Sequence, residues 1–127
     1  MKLKYVKSVS ESVVSVSLSL TNMTTREKKA LRVLGSPMVT LDKEYSTSGV
    51  TVSLEQAIES FGVDMEFPGE ITNISEVLEE AQTFITDMQE AITDVMLELM
   101  TSYKAVESAI ASQSGELEIR DGEQAGA

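Results

Sequence analysis

Histidine, cysteine and tryptophan are all absent from this chain of 127 residues. Without histidine there is no imidazole acid or base and no histidine-ligated zinc or haem. Without cysteine there are no thiol nucleophiles, no disulfides and no thiolate metal sites. Aromatic residues make up only 5 % of the chain, so large pocket-forming side chains are scarce. Basic charge is also short: 10 Lys and Arg stand against 21 Asp and Glu, for a formal net charge of -11. That balance excludes a basic footprint for nucleic acid or for an anionic membrane surface. No apolar run approaches the ~18 residues of a membrane span. Met1-Lys2-Leu3-Lys4 resembles the start of a signal peptide, but serine then alternates with valine and Glu11 intervenes, so no apolar h-region follows. The expectation is a soluble protein of the cytoplasm, or of a particle assembled there.

What is present is unevenly distributed. Residues 1–70 carry eight basic groups against nine acidic ones, whereas residues 71–127 carry two against twelve. The shift falls at Pro68-Gly69 and divides a near-neutral head from an acidic remainder. Apolar residues reach 42 %, enough for the core of one α+β domain.

In the head, Val14, Val16, Leu18 and Leu20 alternate with Ser15, Ser17 and Ser19, the period of a half-buried strand. Tyr5 to Val13 also fits helical spacing, but valine and serine are weak helix formers, which favours an extended segment. Thr24 and Glu27 form a capping box ahead of a short helix through Ala30, Leu31, Val33 and Leu34, closed by Gly35 and Pro37. Met38 to Tyr45 and Val50-Thr51-Val52, joined by Ser46-Thr47-Ser48-Gly49, read as a hairpin. Ser53 with Gln56 predicts a second helix through Ala57, Ile58 and Phe61, ended by Gly62. Val63, Met65 and Phe67 then predict a short edge strand. A unit of about 65 residues is marginal alone and is expected to lean on something else.

From Glu70 to Ser114 the chain has neither glycine nor proline. With Ile71 at heptad position a, the a series is Ile71, Leu78, Ile85, Ile92, Leu99 and Val106; the d series is Ile74, Ala81, Met88, Val95, Ser102 and Ala109. All but Ser102 are apolar, which predicts one amphipathic helix over 71–113, capped at Asn73 with Glu76. The stripe widens at Val77, Phe84 and Ala91 in the first half, and at Met96, Tyr103 and Ile110 in the second. A straight helix drifts about 20° per heptad, and this change of flank keeps a wide stripe facing one way. Some 40 helical residues span roughly 60 Å, against about 35 Å for a compact globule of this length. The distal stripe is therefore expected to be covered by other copies or by another protein, unless the helix breaks near Thr101-Ser102.

The candidate interaction face is thus Ile71, Ile74, Leu78, Phe84, Ile85, Met88, Ile92, Val95, Leu99, Tyr103 and Val106. Met88, Met96 and Met100 read first as core filling and second as an adaptable binding surface. The opposite face carries Glu76, Glu79, Glu80, Asp87, Glu90, Asp94, Glu98 and Glu107 against Lys104 alone, without the usual Glu-to-Lys pairs. It is either a solvated face or an electronegative rod for a basic partner, with Glu76, Glu79, Glu80, Asp87, Glu90 and Asp94 as its contact residues. The polar acidic tail, 114–127, contains Leu117 and Ile119 alternating with Glu116, Glu118 and Arg120, a possible short strand on a neighbour.

Catalytic chemistry is not visible. The paired carboxylates sit on polar faces, where nothing desolvates them. Asp121-Gly122-Glu123 lacks the spaced oxygen ligands of a calcium loop. No glycine-rich phosphate loop and no serine elbow occur. These readings predict no catalytic residues, no metal and no cofactor. They favour a non-enzymatic structural or assembly subunit, a homo-oligomer or a component of a larger particle such as a virion, working through protein partners. The alternative is an acidic binding module (an inhibitor, an assembly chaperone or a nucleic-acid mimic) that occupies a basic surface.

Overall fold

The computed structural model describes residues 1–113 and 115–119 of the chain. Its class is mixed α+β: antiparallel strands and a hairpin in the head, then one long helix. Strands β1 (Lys2–Val9), β2 (Val13–Thr21) and β5 (Gly62–Pro68) form one antiparallel sheet in the order β1-β2-β5. Strands β3 (Met38–Tyr45) and β4 (Val50–Ala57) form a separate two-stranded ribbon. Helix α1 (Thr25–Leu34) joins β2 to β3, and helix α2 (Ile74–Ala111) packs against β2, β3, β5 and α1.

The local chemistry explains most of these elements. In β2 the even residues Val14, Val16 and Leu18 are buried, and the serines between them face outward or lie at partial depth. The turn from β1 to β2 contains no glycine or proline; the Ser10 N–H donates to the Val13 carbonyl at 2.9 Å. Thr24 and Glu27 cap α1 reciprocally, the Glu27 N–H donating to Thr24 Oγ1 at 3.1 Å and the Thr24 N–H to Glu27 Oε1 at 2.9 Å. Gly49 takes φ 77° to close the β3–β4 loop, a conformation that favours glycine.

The second capping box is a correction. Ser53 and Gln56 lie within β4, paired across the ladder with Asp42 and Val39, and the expected helix is reduced to a 3-10 turn at Ile58–Ser60. The period-2 run begun by Val50 and Val52 continues through Leu54, and eight paired positions with β3 outweigh one local cap. Gln56 Oε1 instead accepts the Gly62 N–H at 3.0 Å, and Ser36 Oγ accepts the Glu59 N–H at 2.9 Å. The cap of the long helix differs as well. Asn73 ends a 3-10 turn, Ile71–Asn73, and its Oδ1 accepts the Glu70 N–H at 2.7 Å, so it does not cap α2 through its side chain.

α2 runs unbroken through Thr101-Ser102, at about 1.5 Å per residue some 57 Å in all. Its buried residues are Val77, Ala81, Phe84, Ile85, Met88, Ile92, Met96, Leu99 and Tyr103. The stripe passes from the Val77 and Phe84 flank to the Met96 and Tyr103 flank, the drift compensation expected of a straight helix. Cover by a partner was expected for the distal part of this stripe, unless the helix broke. In the folded chain the two sheets and α1 cover it, laid lengthwise along about 39 Å of helix. The compact-globule comparison failed because the protein is elongated along α2.

Three rings knit the layers together. Tyr45 of β3, Phe67 of β5 and Phe84 of α2 meet with centroids 5.7, 5.9 and 5.3 Å apart, the two tyrosine contacts being edge-on. Phe67 and Phe84 are fully buried. A Phe84→Ala substitution therefore removes the only ring that α2 contributes to the joint between the two sheets, and is expected to cost about 3–5 kcal/mol of folding stability in urea denaturation. Gly69, between β5 and α2, lies close against the helix: a Cβ there would lie 2.6 Å from Val77 Cγ2. Gly69→Ala is expected to lower stability by about 1–3 kcal/mol, and an unchanged denaturation midpoint would contradict this packing.

Candidate interaction surfaces

The eleven apolar residues singled out on the helix separate into three groups. Phe84, Ile85, Met88, Ile92, Leu99 and Tyr103 are buried in the core; Ile74, Leu78, Val95 and Val106 are half-buried; Ile71 is exposed. The buried six serve the fold of the single chain, and of them Ile85 and Ile92 also line the groove between α2 and β1.

The acidic row is likewise divided. Glu80 accepts hydrogen bonds from the Thr47 N–H at 2.7 Å and the Ser48 N–H at 2.8 Å, and also from the Ser48 hydroxyl. It therefore satisfies the donors of the β3–β4 loop. Asp87 Oδ2 accepts from the Tyr45 hydroxyl at 2.6 Å and from Lys43 Nζ at 2.8 Å. Burial, reinforced by this acceptor, pushes the Tyr45 phenol above its ordinary value. Arg26 of α1 donates Nε and Nη2 to the Glu107 carboxylate, with contacts of 2.6 to 3.1 Å that dock α1 on the last turns of α2. That pair is largely exposed, so it orients more than it stabilises. Glu76, Glu79, Glu90, Asp94 and Glu98 remain exposed, with no ion pair among the described residues.

An apolar groove of about 770 Å³ runs between α2 and β1. Its walls are Leu3, Tyr5 and Leu20 from the sheet and Ile85, Ile92, Met96, Leu97 and Met100 from the helix, with Gln82, Thr86, Gln89 and Thr93 as the polar margin and Met1, Lys2 and Glu27 at the end near α1. Among the described residues the sheet stops at β1, and the flank of the helix stripe beyond it opens into the groove. Of the three methionines, Met88 is core, while Met96 and Met100 face the groove. Tyr5, Val6 and Val9 of β1 are each half or more exposed. Sequence reasoning missed this surface because the edge position of β1 depends on the non-local pairing of β2 with β5. The signal was the alternation of Lys2 and Lys4 with Leu3 and Tyr5.

Among the described residues no group of acidic side chains is placed to hold a metal, no buried side-chain donor or acceptor lacks a partner, and no helix is long and apolar enough to cross a membrane. Asp121-Gly122-Glu123 and Arg120 lie outside the described residues. Gly115–Ile119 carries no strand pairing and its residues are exposed. No family model, no curated protein and no solved structure matches this chain.

The Glu80 contacts give the loop a pH dependence. Burial acts to raise the carboxyl, but the hydrogen bonds from Ser48 and Thr47 outweigh it and leave Glu80 below its ordinary 4.5. A lowered folded value means that the stabilisation is complete above pH 4.5 and is lost as pH falls through the lowered value. Glu80→Gln should therefore lower thermal stability at pH 7 while flattening its decline between about pH 5 and pH 3. A melting profile parallel to that of the unaltered chain would contradict this role.

Proposed function

We propose that this protein is a non-enzymatic assembly subunit, a rod-shaped unit that associates with copies of itself or builds into a larger particle. The observation that carries this reading is the uncovered sheet edge of β1 beside the Met-lined groove. An unpaired edge next to exposed apolar side chains offers backbone groups and apolar area to a further strand, with Lys2, Lys4 and Lys7 as the charges along it. A long straight spine with one open flank suits repeated lateral or end-to-end contact. The composition, free of Cys, His and Trp and rich in Ser, Thr and Val, is compatible with a virion component or another filament.

The contact lies on the flank of the helix stripe and on β1, because the centre of the stripe is already used by the fold. A second reading rests on a separate observation, the exposed row Glu76, Glu79, Glu90, Asp94 and Glu98 along one side of α2. That row would meet a basic partner surface, in the manner of an acidic inhibitor, chaperone or nucleic-acid mimic.

Light scattering coupled to size exclusion separates these readings. Self-assembly predicts a mass above 13.8 kDa that persists or grows at high salt, since apolar contact and strand pairing are not screened. A monodisperse 13.8 kDa species at all concentrations would contradict self-assembly. Capture of a basic protein at low salt and its release at high salt would support the acidic module instead.

A further inference from the structure

Among the described residues β1 pairs only with β2, so along its other side a row of backbone N–H and C=O groups has no ladder partner there. Register with β2 fixes its faces. Leu3 and Tyr5 stand opposite Leu20 and Leu18, on the α2 side, and both line the groove. Lys2 and Lys4 stand opposite Thr21 and Ser19 in the alternate register, Lys4 on the outer side and Lys2 at the end of the groove, both exposed and without an ion pair among the described residues. The free edge thus presents two apolar residues in one register and two cations in the alternate one.

One segment of the chain has the complementary pattern. Glu116-Leu117-Glu118-Ile119 alternates acid with aliphatic; Leu117 is 93 % exposed and Ile119 73 %, with no pairing of its own. As a strand it would carry two apolar side chains on one face and two carboxylates on the other. We propose that Glu116–Ile119 of a second copy adds as a strand to the free edge of β1. Leu117 and Ile119 then close the groove beside Leu3 and Tyr5, and Glu116 and Glu118 lie next to Lys2 and Lys4. This deepens the assembly reading and rests on it.

Chain length assigns the strand to a second copy. β1 runs antiparallel to α2: Lys7 Nζ reaches Gln82 Oε1 at 2.7 Å, while the start of β1 lies by Glu27, next to the Arg26 that clamps Glu107. Leu3 is four residues before Lys7, or about 13 Å along the strand, which places it level with the region of Ala91. From Ala111 back to that level the helix rises about 30 Å. The six residues from Ala111 to Leu117 span at most about 21 Å when fully extended. A copy's own Leu117 therefore falls short of its own Leu3. Each copy holds one donor strand and one acceptor edge at different places, so two copies exchange strands in a closed pair or successive copies link head-to-tail into a ring or a filament.

The absence of cysteine makes the test clean. Full-length chains carrying Leu117→Cys are mixed with chains carrying Leu3→Cys or Tyr5→Cys and oxidised mildly. Tyr5 is half exposed, so its variant keeps the test valid if Leu3→Cys folds poorly. The expected result is a disulfide-linked pair of chains with either partner, and none with Val33→Cys, an exposed control on α1. Lys2→Glu with Lys4→Glu should reduce the linked product about tenfold, and Glu116→Lys with Glu118→Lys in the donor chain should restore it. An assembled wild-type chain whose cross-linking does not exceed the Val33→Cys control overturns the strand addition and leaves the assembly reading standing. A wild-type chain that stays monomeric overturns both. An intrachain disulfide in a dilute Leu3→Cys/Leu117→Cys double variant assigns the strand to the same copy and overturns the proposal.

Discussion

A wide apolar stripe on a straight helix has to be covered, and the remaining architecture follows from how this chain covers it. The stripe from Val77 to Tyr103 is too long for one compact layer, so the chain lays two small sheets and a short helix along it. The two-stranded ribbon is too small to be stable by itself, and the three-stranded sheet has one apolar face that needs a cover. The head depends on the helix as much as the helix depends on the head. Tyr45, Phe67 and Phe84 mark where this mutual dependence is tightest, since each comes from a different layer.

The same constraint decides what is left for partners. Once the centre of the stripe is consumed, apolar surface stays open where the three-stranded sheet ends, along β1 and the Met96 to Met100 flank, and in a smaller recess between Leu34, Met38 and Val95. The acidic charge is apportioned in a parallel way. Glu80, Asp87 and Glu107 fasten a loop, a tyrosine and α1 to the helix, and the carboxylates elsewhere on that side stay in water. A net charge that looked like a uniform property of the helix is partly an internal scaffold.

How much of this was legible varied with the range of the interaction. Thr24 with Glu27, the alternation of Val14 to Leu20 and the drift from Phe84 to Tyr103 are short-range patterns, and each reports its element directly. Ser53 with Gln56 carries an equally good local signal, yet pairing with β3 overrides it, because a ladder of cross-strand partners outweighs one cap. Asn73 was placed at the right helix end with the wrong bond. The roles of Glu80 and Asp87 were hidden, since their partners lie some 32 to 44 residues away. The elongated form was missed for a similar reason: the size of a compact globule says nothing about strands laid parallel to a spine. The groove and the free edge were missed with it, because both are defined by where a sheet stops.

The central claim is that the stripe on α2 is covered within one chain, and that contacts between copies form at β1. Amide hydrogen exchange across a dilution series tests it most directly, because intramolecular cover is independent of concentration and intermolecular cover is not. The account predicts that amides from Val77 to Tyr103 keep the same strong protection at every concentration, while those of Lys2 to Val9 gain protection as the protein is concentrated. Protection along Val77 to Tyr103 that fades on dilution would contradict it.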